Sequence, residues 1–129
     1  LTIKFSFHSI ITESSFNVPH YEIQSLYDLY NATNGNEWQW SNSAGGIPWQ
    51  FTADANPCAD DWQGVTCSLA PVNGFLHVIK LYLEHFNLVG YLPESIGNLT
   101  ELTELSLHNN YLNSTIPHSI GTLKNLSYL

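Results

Sequence analysis

A shift of 24 positions lays the apolar residues of the C-terminal part of this chain onto one another. Leu81 falls on Leu105, Leu83 on Leu107, Leu88 on Leu112, Leu92 on Ile116, Pro93 on Pro117, Ile96 on Ile120, Gly97 on Gly121 and Leu99 on Leu123. The next offset sets Leu102 on Leu126 and Leu105 on Leu129, so a third copy begins. Self-similarity at a fixed period predicts stacked repeats, in which no unit buries its apolar face alone and neighbours supply the cover. In each copy a short Leu-x-Leu strand carries two inward leucines, and stacking makes these strands a parallel sheet about 4.8 Å apart. Function in such molecules sits on a surface more often than in a pocket.

The charge balance narrows the partners. Eleven carboxylates face three lysines, Lys4, Lys80 and Lys124, with no arginine, for a net charge of −8. That sign opposes phosphate backbones and anionic membranes, and no guanidinium fork is present for phosphate. No run of about 18 apolar residues could span a bilayer. The chain of 129 residues has no methionine, even at position 1, which suggests a processed product or a segment of something longer.

Two cysteines, Cys58 and Cys67, stand alone without a metal-type CxxC spacing. Such a pair suggests a disulfide in an oxidising compartment, the alternative being two unrelated buried thiols. Four N-x-Ser/Thr sequons, at Asn31, Asn98, Asn113 and Asn125, favour the first reading and an extracellular or secreted setting, and offer sites for glycan.

Residues 1–8 alternate apolar and polar, which predicts a strand with Leu1, Ile3, Phe5 and Phe7 on one face; residues 9–17 form a connector. A helix is expected from about Pro19 to Thr33, with Ile23, Leu26, Tyr27, Leu29 and Tyr30 on one stripe and Asn34-Gly35 as its stop. From Asn36 to Asp61, glycines and prolines exclude long elements. Trp38, Trp40, Trp49 and Trp62 gather there, and four indoles can bury a large area in an irregular stretch. An exposed aromatic platform for carbohydrate is the functional rival.

Residues 79–129 resemble plant-type leucine-rich repeats, most closely in the second copy, Leu102-Thr-Glu-Leu105-Ser-Leu107-His-Asn-Asn110-Tyr-Leu112-Asn-Ser-Thr-Ile116-Pro117. Residues 20–67 resemble the N-terminal cap of that family, through Leu29-Tyr30-Asn31-Ala-Thr-Asn34-Gly35, Trp38 and Pro57-Cys58-x-x-x-Trp62-x-Gly64-Val65-Thr66-Cys67. The resemblance implies an α/β fold: a leucine-rich-repeat solenoid, with a parallel sheet on its concave face and a helical, disulfide-bonded N-terminal cap. The chain is accordingly divided into a cap (18–77) and repeats (78–129), preceded by an N-terminal extension (1–17) whose residues 1–16 have no counterpart in the family pattern, and the resemblance implies a Cys58–Cys67 bridge. Two departures stand out. Phe86 occupies the position of Asn110 in the first copy, so that turn must close differently. Ser114 replaces Gly90, so the backbone there need not use a glycine-only conformation.

Catalytic and metal patterns are missing. His8, His20, His77, His85, His108 and His118 show no metal-ligand spacing and are expected on the surface. Asp54, Asn56, Asp60 and Asp61 faintly suggest a calcium loop, but Ala59 and Val65 stand where Gly and Glu are required. Glu84 and Glu104 project from an open sheet with nothing to shift them. No cofactor and no enzymatic activity are expected.

Register places Lys80, Glu104 and Tyr128 in one column of the concave face, Tyr82 and Ser106 in a second, and Glu84 and His108 in a third. The resemblance implies that this strip binds a protein, peptide or glycan. The alternative is a structural glycoprotein in which the strand at residues 1–8 covers the open repeat edge at Leu126 and Leu129 of the next copy. Such contact runs head to tail and builds an extracellular filament or matrix.

Overall fold

The structure, a computed structural model, describes residues 16–43 and 45–127. The strand expected at residues 1–8, and with it the filament contact, lies outside those residues.

Helix α1 spans His20–Ala32. Pro19, at φ −58°, leads into it, a value its ring fixes and the first helical turn requires. At the other end the Thr33 hydroxyl donates to the Leu29 carbonyl (2.6 Å), and Asn34 turns left-handed at φ 60°. Four of the five expected stripe residues pack into the core, Leu26 and Leu29 wholly and Ile23 and Tyr30 in part; Tyr27 departs, and two polar residues join the buried side. Leu26 and Leu29 are fully buried together with Glu22 and Ser25, whereas Tyr27 is 42% exposed. Tyr27 uses its ring edge instead, against Phe51 at 5.1 Å.

Glu22 ties the helix to the first repeat. One carboxylate oxygen accepts the Val78 N–H (2.8 Å) and the other meets His77 Nδ1 at 2.6 Å. Burial pushes this carboxyl above the usual glutamate range, against the opposing pull of the Val78 and His77 hydrogen bonds. His77 is therefore a partner of a buried acid, not the plain surface histidine expected.

The tryptophans fill the space between α1 and the first repeat. Trp38, Trp49 and Trp62 are buried. Trp49 stacks on Trp62 at 5.5 Å and meets Trp38 edge-on at 4.9 Å, geometries that the ring quadrupoles favour. The Trp49 indole N–H donates to the Gln63 carbonyl (2.8 Å) and that of Trp38 to Thr33 (3.2 Å). These three rings are too enclosed to serve as an exposed carbohydrate platform, and of the four indoles only Trp40 stays partly exposed.

Cys58 and Cys67 are joined, with Cα atoms 5.9 Å apart. The bridge fastens the loop before Trp62 to strand β1 (Val65–Cys67). Closing a loop this short removes about 2.5 kcal/mol of unfolded-state entropy. Cys58→Ser is expected to lower stability by about that amount, read as a shift in the urea midpoint at unchanged slope; coincident melts of variant and parent would contradict it.

Strand β1 pairs antiparallel with β2 (Val78–Tyr82), which pairs parallel with β4 (Glu104–Ser106). The register is Lys80↔Glu104, Leu81↔Leu105 and Tyr82↔Ser106. A second, two-stranded parallel sheet joins β3 (Val89–Gly90) to β5 (Tyr111–Leu112). Behind both run 3-10 turns at Glu94–Asn98 and His118–Thr122. The core between these layers is a leucine ladder: Leu81, Leu83, Leu88, Leu99, Leu102 and Leu105, with Ile96, are all withdrawn from water. Each contributes about 2 kcal/mol of hydrophobic stabilisation. Ile116, aligned with Leu92 by the period, is instead 64% exposed.

Phe86 closes its turn through a neighbour. The Asn110 carbonyl oxygen accepts the N–H groups of Phe86 (3.1 Å) and Leu88 (3.0 Å). Its amide donates to the carbonyls of Leu83 (2.7 Å) and Leu107 (2.9 Å). One asparagine thus serves two consecutive turns. Phe86, released from that duty, packs edge-on to Trp40 at 5.7 Å and Trp38 at 6.2 Å. Ser114 also departs from expectation, because it still adopts a left-handed φ of 72°.

Candidate functional site

Hydrogen bonding between β2 and β4 fixes which side chains stand side by side, since residues alternate between the two faces of a strand. Leu81 and Leu105 turn into the core, and their neighbours Lys80, Tyr82 and Glu104 turn outward, half-buried. Lys80 Nζ lies 3.3 Å from Glu104 Oε2, and the Tyr82 hydroxyl donates to the other oxygen of the same carboxylate. The Tyr82 hydroxyl, and after it Lys80, hold the Glu104 carboxyl below its ordinary range. This triad is open to solvent and adds little to stability; it fixes the orientation of three long side chains across two rungs.

The second column differs from expectation. Ser106 is only 3% exposed, and its hydroxyl lies 3.0 Å from His108 Nδ1. The third column departs too. Among the described residues Glu84 and His108 form no ion pair; His108 is engaged by Ser106, and its ring meets the edge of His85 at 6.1 Å. Asn109 Nδ2 lies 3.1 Å from His85 Nε2, so the histidines belong to a polar network at the strand ends. Tyr128, the third member of the first column, lies outside the described residues.

At the end of this face nearest the tryptophans, the sheet meets the loops around Trp40 and Asp61 in an open cleft of about 730 Å³. Tyr82 and Glu84 belong to it as well as to the strip. Sequence reasoning reached the strip through the 24-residue period but missed the cleft, since no local pattern brings residues 40, 61 and 84 together.

Other candidates resolve into structural roles or remain simple surface. Asn56 accepts the N–H groups of Cys58 and Ala59 (both 3.1 Å) and donates its own to Asp60 (3.1 Å), so these residues shape a turn. No group of three or more His, Cys, Asp or Glu able to hold a metal occurs among the described residues. The sequon asparagines Asn31, Asn98, Asn113 and Asn125 are all exposed, and none lies on the three-stranded sheet. Among the described residues no helix is long and apolar enough to cross a membrane.

Comparison with known proteins agrees with this architecture. Residues 101–123 match the family model described as Leucine Rich Repeat. The chain is 41% identical over 73 residues to receptor-like protein kinase HSL1 of Arabidopsis thaliana, covering 57% of this chain and 7% of that protein. A probable leucine-rich repeat receptor-like serine/threonine-protein kinase of the same plant is 33% identical over 125 residues, covering 90% of this chain and 12% of its own length. Among solved structures, the leucine-rich-repeat ectodomain of the Arabidopsis thaliana receptor kinase SOBIR1 superimposes with a TM-score of 0.64 at 25% identity, over 88% of this chain and 53% of that one. The chain thus spans a small fraction of the curated relatives it matches.

Proposed function

We propose, from its likeness to plant leucine-rich-repeat proteins of the receptor-like class, that the outer face of this chain's three-stranded sheet is a recognition surface for a protein or peptide. The relatives named above are receptor-like kinases and the solved neighbour is a receptor-kinase ectodomain; the setting is extracellular. In this reading residues 18–77 are the cap that seals the first rung, and residues 78–129 are the repeats that carry the surface.

The parallel register of β2 and β4 is the observation that carries the proposal. It stands Lys80, Tyr82 and Glu104 in ordered contact on one face, with the core leucines immediately behind. Side chains held in place lose little freedom on binding, so less of the interaction energy goes into ordering them. Lys80, Tyr82, Glu84, Glu104 and His108 are the proposed contact residues, with Ser106 holding His108 from behind. The exposed sequon asparagines are proposed glycan carriers, and sugars there would leave the sheet face open. The filament alternative depended on a contact between residues 1–8 and the edge at Leu126 and Leu129, and of these only Leu126 is among the described residues.

Selection of a random dodecapeptide library on the purified chain tests the surface. Binders are expected to lose about tenfold or more in affinity when Tyr82→Ala and Glu104→Lys are combined, a loss of about 1.4 kcal/mol, and to be indifferent to Lys124→Glu. Binders that ignore the sheet variants and respond to Tyr91→Ala or Tyr111→Ala on the opposite side would overturn the assignment.

A further inference from the structure

We propose that the cleft at the tryptophan end of the sheet face is a subsite for a basic peptide side chain, arginine above all; this rests on the recognition reading and gives its ligand a chemistry. The cleft has a volume of about 730 Å³, enough for a side chain and its flanking backbone. Two carboxylates, Asp61 and Glu84, line it, and neither lysine nor arginine does. Among the described residues neither carboxylate is in an ion pair. Lys80, the cation on the neighbouring strand positions, is engaged by Glu104.

Trp40 and Phe86 supply the apolar wall. Their rings meet edge-on at 5.7 Å, and Trp40 is also tilted against Trp38 at 5.4 Å, so its partly exposed indole is held in a fixed orientation. A guanidinium seated between a fixed indole face and carboxylates gains from the ring quadrupole and from charge-assisted hydrogen bonds at once. His85 is the group that opposes a cation here, and Asn109 lies within hydrogen-bond distance of its Nε2.

A further observation points the same way. Trp62 lines the cleft, is 1% exposed, and its indole N–H has no acceptor among the described residues. A buried donor without an acceptor is costly to keep, and this one stands in the wall against which an entering peptide would settle. The net charge of −8 draws a cationic segment toward the surface before contact is made.

The test is an NMR titration of the isotopically labelled 129-residue chain with the tripeptide acetyl-Gly-Arg-Gly-amide and its uncharged citrulline counterpart. The arginine peptide is expected to shift the Trp40 indole resonance and to bind about fivefold or more tightly than the citrulline peptide, about 1 kcal/mol. Asp61→Asn with Glu84→Gln, both near-isosteric, is expected to abolish that preference. Equal affinity for the two peptides, an undiminished preference in the double variant, or no shift at Trp40 up to about 10 mM peptide, about ten times a 1 mM dissociation constant, would each overturn the subsite. Shifts confined to Ser106 and His108 would overturn the subsite while leaving the sheet-face reading intact. Loss of the library binders' sensitivity to the sheet variants would remove that reading instead.

Discussion

Gly90→Ala is expected to destabilise the domain by at least about 3 kcal/mol, from backbone strain combined with lost buried hydrogen bonds. Gly90 sits at φ 143°, and a Cβ built there would lie 2.0 Å from the Ala32 carbonyl oxygen. That carbonyl is the acceptor for Tyr91 N–H (3.2 Å), and Thr33 accepts Val89 N–H (3.1 Å). The end of α1 is therefore sewn directly onto β3, with the glycine hydrogen as the only spacer. The clash is with backbone atoms of Ala32 and Thr33, so no rotamer change relieves it. Urea unfolding measures the effect, and Ser114→Gly supplies the control. Ser114 is exposed, at φ 72° with no helix beside it, so its replacement is expected to change stability by less than about 1 kcal/mol, within the usual range for glycine exchanges at such a backbone. A Gly90→Ala midpoint close to the parent's would show that helix and repeat are not joined there.

Asn110→Ala is expected to cost about 3–4 kcal/mol, because four backbone groups in two turns lose their partner at about 1 kcal/mol each. The donors of Phe86 and Leu88 and the acceptors of Leu83 and Leu107 have no other arrangement that a methyl group can restore. Asn110→Asp separates the two halves of the role. It retains the acceptor for the two N–H groups but sets a carboxylate against the two carbonyls, which favours the protonated form in the folded state. Its folded-state pKa is thereby raised, so stability is present at low pH and lost as pH rises through the raised value. An unfolding midpoint for Asn110→Asp that improves between about pH 7 and pH 4, the span across which a carboxyl with an elevated pKa gains its proton, would bear this out. A midpoint independent of pH would not.

The register of the three-stranded sheet is visible in the letters because the repeat period sets Lys80, Leu81 and Tyr82 beside Glu104, Leu105 and Ser106. Features that depend on a single contact across the fold are not. Glu22 looks like a solvent-facing residue of an amphipathic helix, since the apolar stripe beside it is complete without it; only the N–H of Val78, 56 positions away, explains its burial. Ser106 looks like a concave-face residue by alternation, but the hydroxyl of a small side chain is easily covered when a histidine two positions on reaches back to it. Tyr27 fits the helical stripe by spacing and is turned aside by Phe51, which no spacing rule connects to it. The pairing of Val89–Gly90 with Tyr111–Leu112 is too short for periodicity to register. Within the cleft, each residue type was in view, and only their convergence from three separate stretches was hidden.

The chain of indoles from Trp40 through Trp38 and Trp49 to Trp62, with successive centroids 5.4, 4.9 and 5.5 Å apart, has an optical consequence. Coupled chromophores in fixed mutual orientation give near-ultraviolet circular dichroism that vanishes when side-chain packing loosens, even while secondary structure persists. Phe86 wedges the first turn of the repeats against that array. The molecule carries an intrinsic spectroscopic gauge of how firmly its first rung is seated, and it needs no attached label.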